Sequence, residues 1–460
     1  MKILILAAGK GTRFKFGGVP KIFANFWGIR VIDLLIKQAY QASLESSVLL
    51  NEETYDEFCV SYNAKKYLQK KDGKYGTGQA VRSYLEQICN DKDSIEHHEH
   101  FQGGLLIIAG DLPLVDSGTF EKFSKAKNAK KINSQDCENI QNDKAIEAKS
   151  NIGFEILVGV MKSPQGEESY GRIIENDEGE IVAIAEKRDF AQKTEYVNTG
   201  IMYLSAKALS LIFDLKENMH KEIFLTDIVA LAQARGYRIG KVVLEENEAL
   251  GFNTIVEYEN LLQLAQENWK NKAKENGACF LDAKSIFLSH DSEFQSGCII
   301  EPYCKFGVNV KICANAIVKS FSYLENCVID GTVGPFVHIK SGQINQNAQI
   351  GSFVEVKNSQ IDEGSKIKHL AYIGDAEIGK NVNIGAGVVI CNYDGQNKHR
   401  TKIEDRAFVG ANSSLIAPIK IEQDAFLAAG GTYTQDVHAN HLSIARAKQI
   451  SRKRDANQED

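Results

Sequence analysis

From Ile403 onward an aliphatic residue returns every six positions: Ile403, Val409, Leu415, Ile421 and Leu427. Two residues before each of the later ones stands another small or apolar residue: Ala407, Ser413, Ile419 and Ala425. This spacing fits neither the 3.6-residue period of a helix nor the two-residue period of a strand. It fits a parallel β-helix of hexapeptide repeats. There each short repeat forms one side of a triangular coil, and the aliphatic side chains stack as ladders inside. The same pattern occurs in "IGKNVNIGAGVV", at Ile378, Val382, Ile384 and Val388, and more raggedly in "FGVNVKICANAIV" and "IGSFVEV".

The first part of the chain has a different texture. Ile3–Ala8 is an apolar run suited to a buried parallel strand, and Val31–Ala42 has helical spacing. Leu105–Gly110 predicts a second buried strand ending at Asp111, and Phe154–Val160 a third. "RIIENDEGEIVAIAEK", Arg172 to Lys187, predicts a hairpin turning at Asn176, Asp177 and Gly179. Phe224–Ala234 is helical. These elements predict an α/β, Rossmann-like domain over 1–255, mostly parallel with antiparallel excursions. Helical spacing over Glu257–Lys274 predicts a linker helix within 256–276, and the repeats fill 277–460. Ser124–Asn151, rich in Lys, Asn, Gln and Ser, reads as a surface insertion, and the charged tail "SRKRDANQED" as frayed. "EHHEH" at Glu96–His100 reads as a solvated loop, because nothing near it completes a ligand set.

The 460 residues exceed one ordinary core, so two or three domains are expected. A net charge of −6 points to neither nucleic acid nor a membrane surface. No apolar run reaches the length of a membrane span, and Met1 leads straight into a strand without a cleavable signal. The nine cysteines are scattered with no CxxC, which reads as reduced thiols in the cytoplasm.

Chemistry concentrates after the first strand. "LAAGKGTR" presents backbone N–H groups beside small side chains, as a phosphate cradle must. It lacks the Gly-Lys-Ser/Thr of a P-loop, and Phe14 stands where a dinucleotide fingerprint needs a third glycine. Arg13 and Lys21 can supply fixed positive charge. Asp111, at the carboxyl end of a buried strand in "GDLPL", is well placed to hold Mg²⁺.

"LAAGKGTR", "VPK", "GTG", "GDLPL", "YGRI", "NTGI" and "GFN" occur in the order seen in sugar-nucleotide pyrophosphorylases. The chain resembles, over nearly its whole length, the bifunctional bacterial enzymes that make UDP-N-acetylglucosamine. The resemblance implies a left-handed β-helix and a homotrimer, with UTP, N-acetylglucosamine 1-phosphate, acetyl-CoA and glucosamine 1-phosphate as substrates. It implies that Leu6, Ala7, Ala8 and Gly9 contact the nucleotide, with Arg13 and Lys21 on its phosphates. Gly76 and Thr77 then contact uridine, with Gln69 reading uracil; Lys71 stands where the family carries its glutamine. Asp111 and Asn253 hold Mg²⁺, and Gly171, Glu186 and Asn198 contact the amino sugar.

In the second half the resemblance rests on "KIKHLAYIGDAEIGKNVNIGAGVVICNYDG". It implies His369 as the base that deprotonates the amine attacking acetyl-CoA, a role an imidazole suits. Lys340, Lys357, Tyr372 and Asn383 align with sugar-phosphate contacts. Ala386, Ala411, Ala429 and Arg446 align with the acetyl-CoA path, which Asn392 and Tyr393 border from the non-repeating loop "CNYDGQNKHRTK". The family has arginine where Lys340 stands and serine where Ala411 stands. The alternatives are a single-function pyrophosphorylase whose β-helix only oligomerises, and a non-catalytic assembly protein. The co-occurrence of Arg13, Lys21, Asp111 and Asn253 argues against the second.

Overall fold

A computed structural model describes residues 1–451 except 10, 12, 15, 71–72, 74, 90–93, 128–152, 164–169, 186–193 and 219–220. Most of the expected insertion at 124–151, the site residue Glu186 and nearly all of the tail lie outside the described residues. The chain divides into two compact units, Met1–Ala265 and Gln266–Asp460, and the division falls inside a helix, Ile255–Glu275. Among the described residues no helix is long and apolar enough to cross a membrane. The eight described cysteines are free.

The first unit is built on a nine-stranded sheet. Its strands are β1 (Lys2–Ala7), β2 (Ser46–Leu50), β3 (Lys65–Leu68), β4 (Leu105–Ala109), β5 (Ile156–Lys162), β6 (Arg172–Glu175), β7 (Ile181–Ala185), β8 (Tyr196–Leu204) and β9 (Ile239–Val243). The order is β3-β2-β1-β4-β8-β5-β9, with β6 pairing β7 and β8. The first four strands are parallel, β8 runs antiparallel to β4 and β5, and β6–β7 is the expected hairpin.

The two faces of β1 explain why its sequence is apolar throughout. Ile3, Ile5 and Ala7 pack with Ile32, Leu35 and Ile36 of helix Val31–Gln41 and with Phe120 and Phe123 of helix Ser117–Ala126. Leu4 packs on the other side with Val81, Tyr84 and Leu85 of helix Thr77–Ile88 and with Ile228 and Val229 of helix Asp227–Ala234. A strand covered on both faces cannot alternate polar and apolar residues.

The second unit is a parallel β-helix of 21 short strands, each paired with the strand one coil further on. Inward residues stack in register: Ile384 on Val409 on Leu427, Ile390 on Leu415 on Tyr433, and Ile403 on Ile421. Coil length is not constant. Phe408 faces Phe426, 18 residues on, or three hexapeptides. Tyr323 faces His338, 15 on; His338 faces Glu355, 17 on; and Asn383 faces Phe408, 25 on. The aliphatic period is regular after Ile403 because those coils keep 18 residues. It is ragged earlier because coils were shortened while strand pairing and the inward ladders were kept. The long coil contains the loop Asn392–Arg400. Corners turn through left-handed backbone at Asn315, Asn347, Asn381, Asn412 and Asn440, a conformation asparagine accepts better than most side chains.

Helix Ile255–Glu275 enters this unit at buried Gln266. Its amide donates to the Leu288 carbonyl at 2.7 Å and accepts from the Leu288 N–H at 2.9 Å. Lys270 donates to the Ala283 carbonyl at 2.7 Å.

Candidate functional site

In the first unit, the carboxyl edge of the sheet gathers the expected residues. Ala8 and Gly9 leave β1 beside Asp111, which follows β4; the Gly110 N–H donates to the Leu6 carbonyl at 2.9 Å. A Cβ on Gly110 would lie 2.9 Å from that carbonyl, so glycine there lets the two strand ends close. Because β8 is antiparallel to β4, its early residues, Asn198 to Gly200, lie at the same edge. The Asn198 N–H donates to the Gly171 carbonyl at 2.8 Å. Asp111, Gly171, Asn198 and Asn253 line one cleft of about 270 Å³, with Tyr170 and Asn260 on its wall.

The charged centre is compact. Lys21 Nζ donates to Asp111 Oδ2, to Asn253 Oδ1 at 3.3 Å and to the Phe252 carbonyl at 3.2 Å. Arg13 donates to the same Asn253 oxygen at 3.1 Å. The Lys21 and Asp111 side chains are only 14% and 19% exposed, so their attraction is less screened than that of a surface pair. One carboxylate oxygen and one amide oxygen thus converge on a cation, here an ammonium. That donor set fits Mg²⁺, which takes oxygen ligands and typically few of them from protein when phosphates complete the shell.

Packing holds this centre in place. Phe14 contacts Phe252 and Tyr258 edge-on, with ring centroids 5.3 and 5.6 Å apart. The residue that breaks the dinucleotide fingerprint therefore anchors the loop that carries Arg13 and Lys21. Thr254 and Glu257 form a capping box at the start of helix Ile255–Glu275: Glu257 N–H donates to Thr254 Oγ1 at 3.2 Å, and Glu257 Oε2 accepts from Thr254 N–H at 3.1 Å. The same Oε2 accepts from the Asn253 N–H at 2.5 Å, which fixes the backbone of the metal-ligand candidate. Asn51 donates to the Ala8 carbonyl at 3.2 Å and holds the root of the phosphate loop. The reading from sequence had passed over Glu257 and Asn51. "TIVE" carries the capping-box pattern openly, whereas nothing local marks Asn51.

Gln69, Gly76 and Thr77 belong to another neighbourhood. Gln69 follows β3, its N–H donating to the Leu50 carbonyl at 2.8 Å. Gly76 has φ of 105°, and a Cβ there would lie 2.3 Å from the Ile223 carbonyl. Thr77 Oγ1 accepts from the Leu225 N–H at 2.9 Å. "GTG" therefore has a packing reason besides any ligand role.

In the second unit the expected residues fall into two columns around one corner. Glu325, Lys340, Lys357 and Gly374 are successive register partners, and so are Tyr323, His338, Glu355 and Tyr372. Lys340 Nζ lies 3.6 Å from Glu325 Oε1, and the Tyr323 hydroxyl donates to Glu325 Oε2 at 3.1 Å. His369 is exposed at the corner, paired in register with Ser352. The next three coils carry Ala386, Ala411 and Ala429 along that corner: Asn412 N–H donates to the Ala386 carbonyl and Gly430 N–H to the Ala411 carbonyl. Arg446 donates to the Ala429 carbonyl at 2.8 Å. Asn392 is buried near Tyr372, whereas Tyr393 is exposed on the loop. Asn383 is not with Lys340, Lys357 and Tyr372. It pairs with Lys366 and Phe408, on the strand before the corner rather than after it.

The sequence matches three family models. Residues 3–134 match the MobA-like NTP transferase domain, 129–270 the nucleotidyl transferase family, and 400–432 the hexapeptide repeat of succinyl-transferase. Among curated relatives, a bifunctional protein GlmU of Bartonella quintana is 32% identical, covering 98% of this chain and 95% of the relative. One from Thermodesulfovibrio yellowstonii is 34% identical, covering 98% and 97%. One from Clostridium botulinum is 31% identical, covering 98% and 96%. With both halves matched from end to end and the cleft residues gathered as above, the chain belongs to the bifunctional GlmU family.

Proposed function

We propose that the chain makes UDP-N-acetylglucosamine in two steps. The second unit transfers an acetyl group from acetyl-CoA to glucosamine 1-phosphate. The first then transfers UMP from UTP to the product and releases pyrophosphate. The convergence of Arg13, Lys21, Asp111 and Asn253 on one cleft edged by Gly171 and Asn198 carries this reading.

In uridylyl transfer, an oxygen of the sugar 1-phosphate attacks the α-phosphorus of UTP, and the bond to the β-phosphate oxygen breaks. The nucleophile is already an anion, so no strong base is needed. Arg13 and Lys21 face the charge that develops on the phosphates. Asp111 and Asn253 would hold Mg²⁺, whose charge, when it is bound, neutralises the phosphate oxygens. Backbone N–H groups from Ala7 to Gly9 cradle the triphosphate.

In acetyl transfer, the amine nitrogen of glucosamine 1-phosphate attacks the thioester carbonyl. His369 takes the proton from that nitrogen, the C–S bond breaks, and coenzyme A leaves. Lys340 and Lys357 neutralise the sugar phosphate, and Tyr372 stands beside them. The three-alanine corner lets the extended coenzyme run along the prism unobstructed. Asn383, on the strand before the corner, is available to a neighbouring subunit's cleft, which supports a homotrimer. Free cysteines and the absence of a membrane-spanning helix among the described residues agree with a cytoplasmic enzyme.

The test is coenzyme A release from acetyl-CoA and glucosamine 1-phosphate, with light scattering of the same preparation. The wild type should release it, and His369→Ala should release it about 10²–10⁴-fold more slowly. UDP-N-acetylglucosamine formation from N-acetylglucosamine 1-phosphate should be unchanged. A wild type that assembles and releases no coenzyme A would leave the single-function pyrophosphorylase as the answer.

A further inference from the structure

Asp375 sits at a corner of the β-helix with φ of 49° and is 5% exposed. Its carboxylate is gripped from both sides. Asn358, one coil earlier, donates through Nδ2 to Oδ1 at 2.5 Å, and Asn392, one coil later, donates through Nδ2 to Oδ2 at 2.5 Å. Its main chain is held as well: the Asp375 N–H donates to the Lys357 carbonyl at 2.9 Å, and the Asp375 carbonyl accepts from the Thr401 N–H at 3.1 Å. Asn392 and Thr401 are the two roots of the inserted loop. One buried residue of the preceding coil therefore fastens both ends of it.

The loop itself is braced from within. Asp394 Oδ1 accepts from the backbone N–H groups of Gln396 and Asn397 at 2.8 and 2.6 Å, and His399 Nε2 lies 2.7 Å from Asp394 Oδ2. The Tyr393 hydroxyl donates to the Gly395 carbonyl at 2.6 Å. Such a loop can tilt as a body, so its aim depends on its roots. The exposed Arg400–Glu377 pair, 3.2 Å apart, adds little, because exposed pairs are screened by water and salt. Next to Asp375, glycine at 374 completes the arrangement. A Cβ there would lie 2.7 Å from the Tyr372 hydroxyl and 2.8 Å from Asn392 Nδ2. Those two side chains meet over a bare glycine, and the Asp375 carboxylate sets the orientation of one of them.

We infer that Asp375 is a positioning residue for acetyl transfer: it aims Asn392 and the loop behind it at the cleft bounded by Tyr372 and Lys357. The inference rests on the acetyltransferase reading above. A buried hydrogen bond to a charged group is among the stronger kinds, and Asp375→Asn turns an acceptor into a competing donor opposite Asn392. The base, His369, lies at the corner before Tyr372 and is not among the groups Asp375 holds. The expected result is a KM for acetyl-CoA raised about tenfold or more, with kcat at saturation changed by less than about threefold. Uridylyl transfer should be unaffected.

The experiment measures both activities in the full-length enzyme, together with tryptic cleavage at Lys398 and Arg400 in the loop. Asp375→Asn and Asn392→Asp should each raise KM and hasten cleavage there. The double exchange restores an amide–carboxylate pair and should recover resistance to trypsin beyond either single variant. A wild-type KM and a wild-type cleavage rate in Asp375→Asn would overturn the inference. Should that variant fail to fold, an unchanged KM in Asn392→Asp would overturn it equally. A wild type that transfers no acetyl group would refute the underlying reading instead.

Discussion

Gly9→Val separates a glycine kept for a ligand from one kept for the fold. A Cβ at Gly9 would meet no atom within 4 Å, and its φ lies outside the left-handed region. Valine there should leave stability within about 0.5 kcal/mol of wild type, as for other surface changes without a named defect. The cradle reading requires the triphosphate to approach that backbone closely, and the branched side chain would hold it off. A hydrogen bond to a charged group contributes about 1.5–3 kcal/mol. Losing one therefore weakens UTP binding by about 10- to 100-fold. Gly76 gives the contrast: with φ of 105° and the Ile223 carbonyl 2.3 Å from a new Cβ, even Gly76→Ala should cost stability, by roughly 1–3 kcal/mol from backbone strain alone. Isothermal titration with UTP and thermal melts of both variants form the assay. Unchanged UTP affinity in Gly9→Val would refute the cradle. A lowered melting temperature in that variant would show that the space beside Gly9 is used by the protein itself.

Asp111→Asn should abolish most uridylyl transfer and spare acetyl transfer; a parallel fall in both activities of folded protein would refute two independent sites. His100 should make the first unit acid-labile. Lys2 Nζ lies 3.0 Å from its Nδ1 and the Tyr84 hydroxyl 3.0 Å from its Nε2, and burial pushes its pKa down from 6.5 to about 4. Below 6.5 the unfolded chain binds a proton that the folded ring resists, so stability is fully present above pH 6.5 and is lost as pH falls towards 4. His100→Gln should flatten melting temperature against pH over that window, and an unaltered slope would count against the assignment.

Much of this was legible from the residues, for reasons that differ from place to place. The β-helix announced itself where coils hold 18 residues and blurred where they hold 15 or 17, because strand pairing fixes the inward ladders and leaves the corners free. Asp111 could be placed because a buried strand ends just before it. The cleft partners Gly171 and Asn198 followed only from resemblance, since the antiparallel turn of β8 that returns Asn198 to the edge of β4 has no local signature. Glu257 displayed its helix cap but not its third hydrogen bond, to Asn253. Asp375 had no signal of its own. Its partners, Asn358 and Asn392, each stand 17 residues away, and only the coiling brings them together. The glycines of "GTG" and "AAGKG" look alike in one dimension, and only the space around each tells them apart.

The long coil also bears on how freely this enzyme's second cleft can be remodelled. Lengthening a closed loop raises its closure entropy only with the logarithm of its length. Going from the 18 residues of the coil joining Phe408 to Phe426 to the 25 of the coil joining Asn383 to Phe408 therefore costs about 0.3 kcal/mol by that relation. The ladders above and below are uninterrupted, so almost none of the folding free energy is tied to what the extra residues are. Insertions at such a corner are nearly invisible to selection for stability and fully visible to selection for binding. A prism of this kind is thus a rigid spine on which recognition loops can be lengthened, shortened or exchanged one coil at a time, provided that the buried residue fastening their two roots is kept.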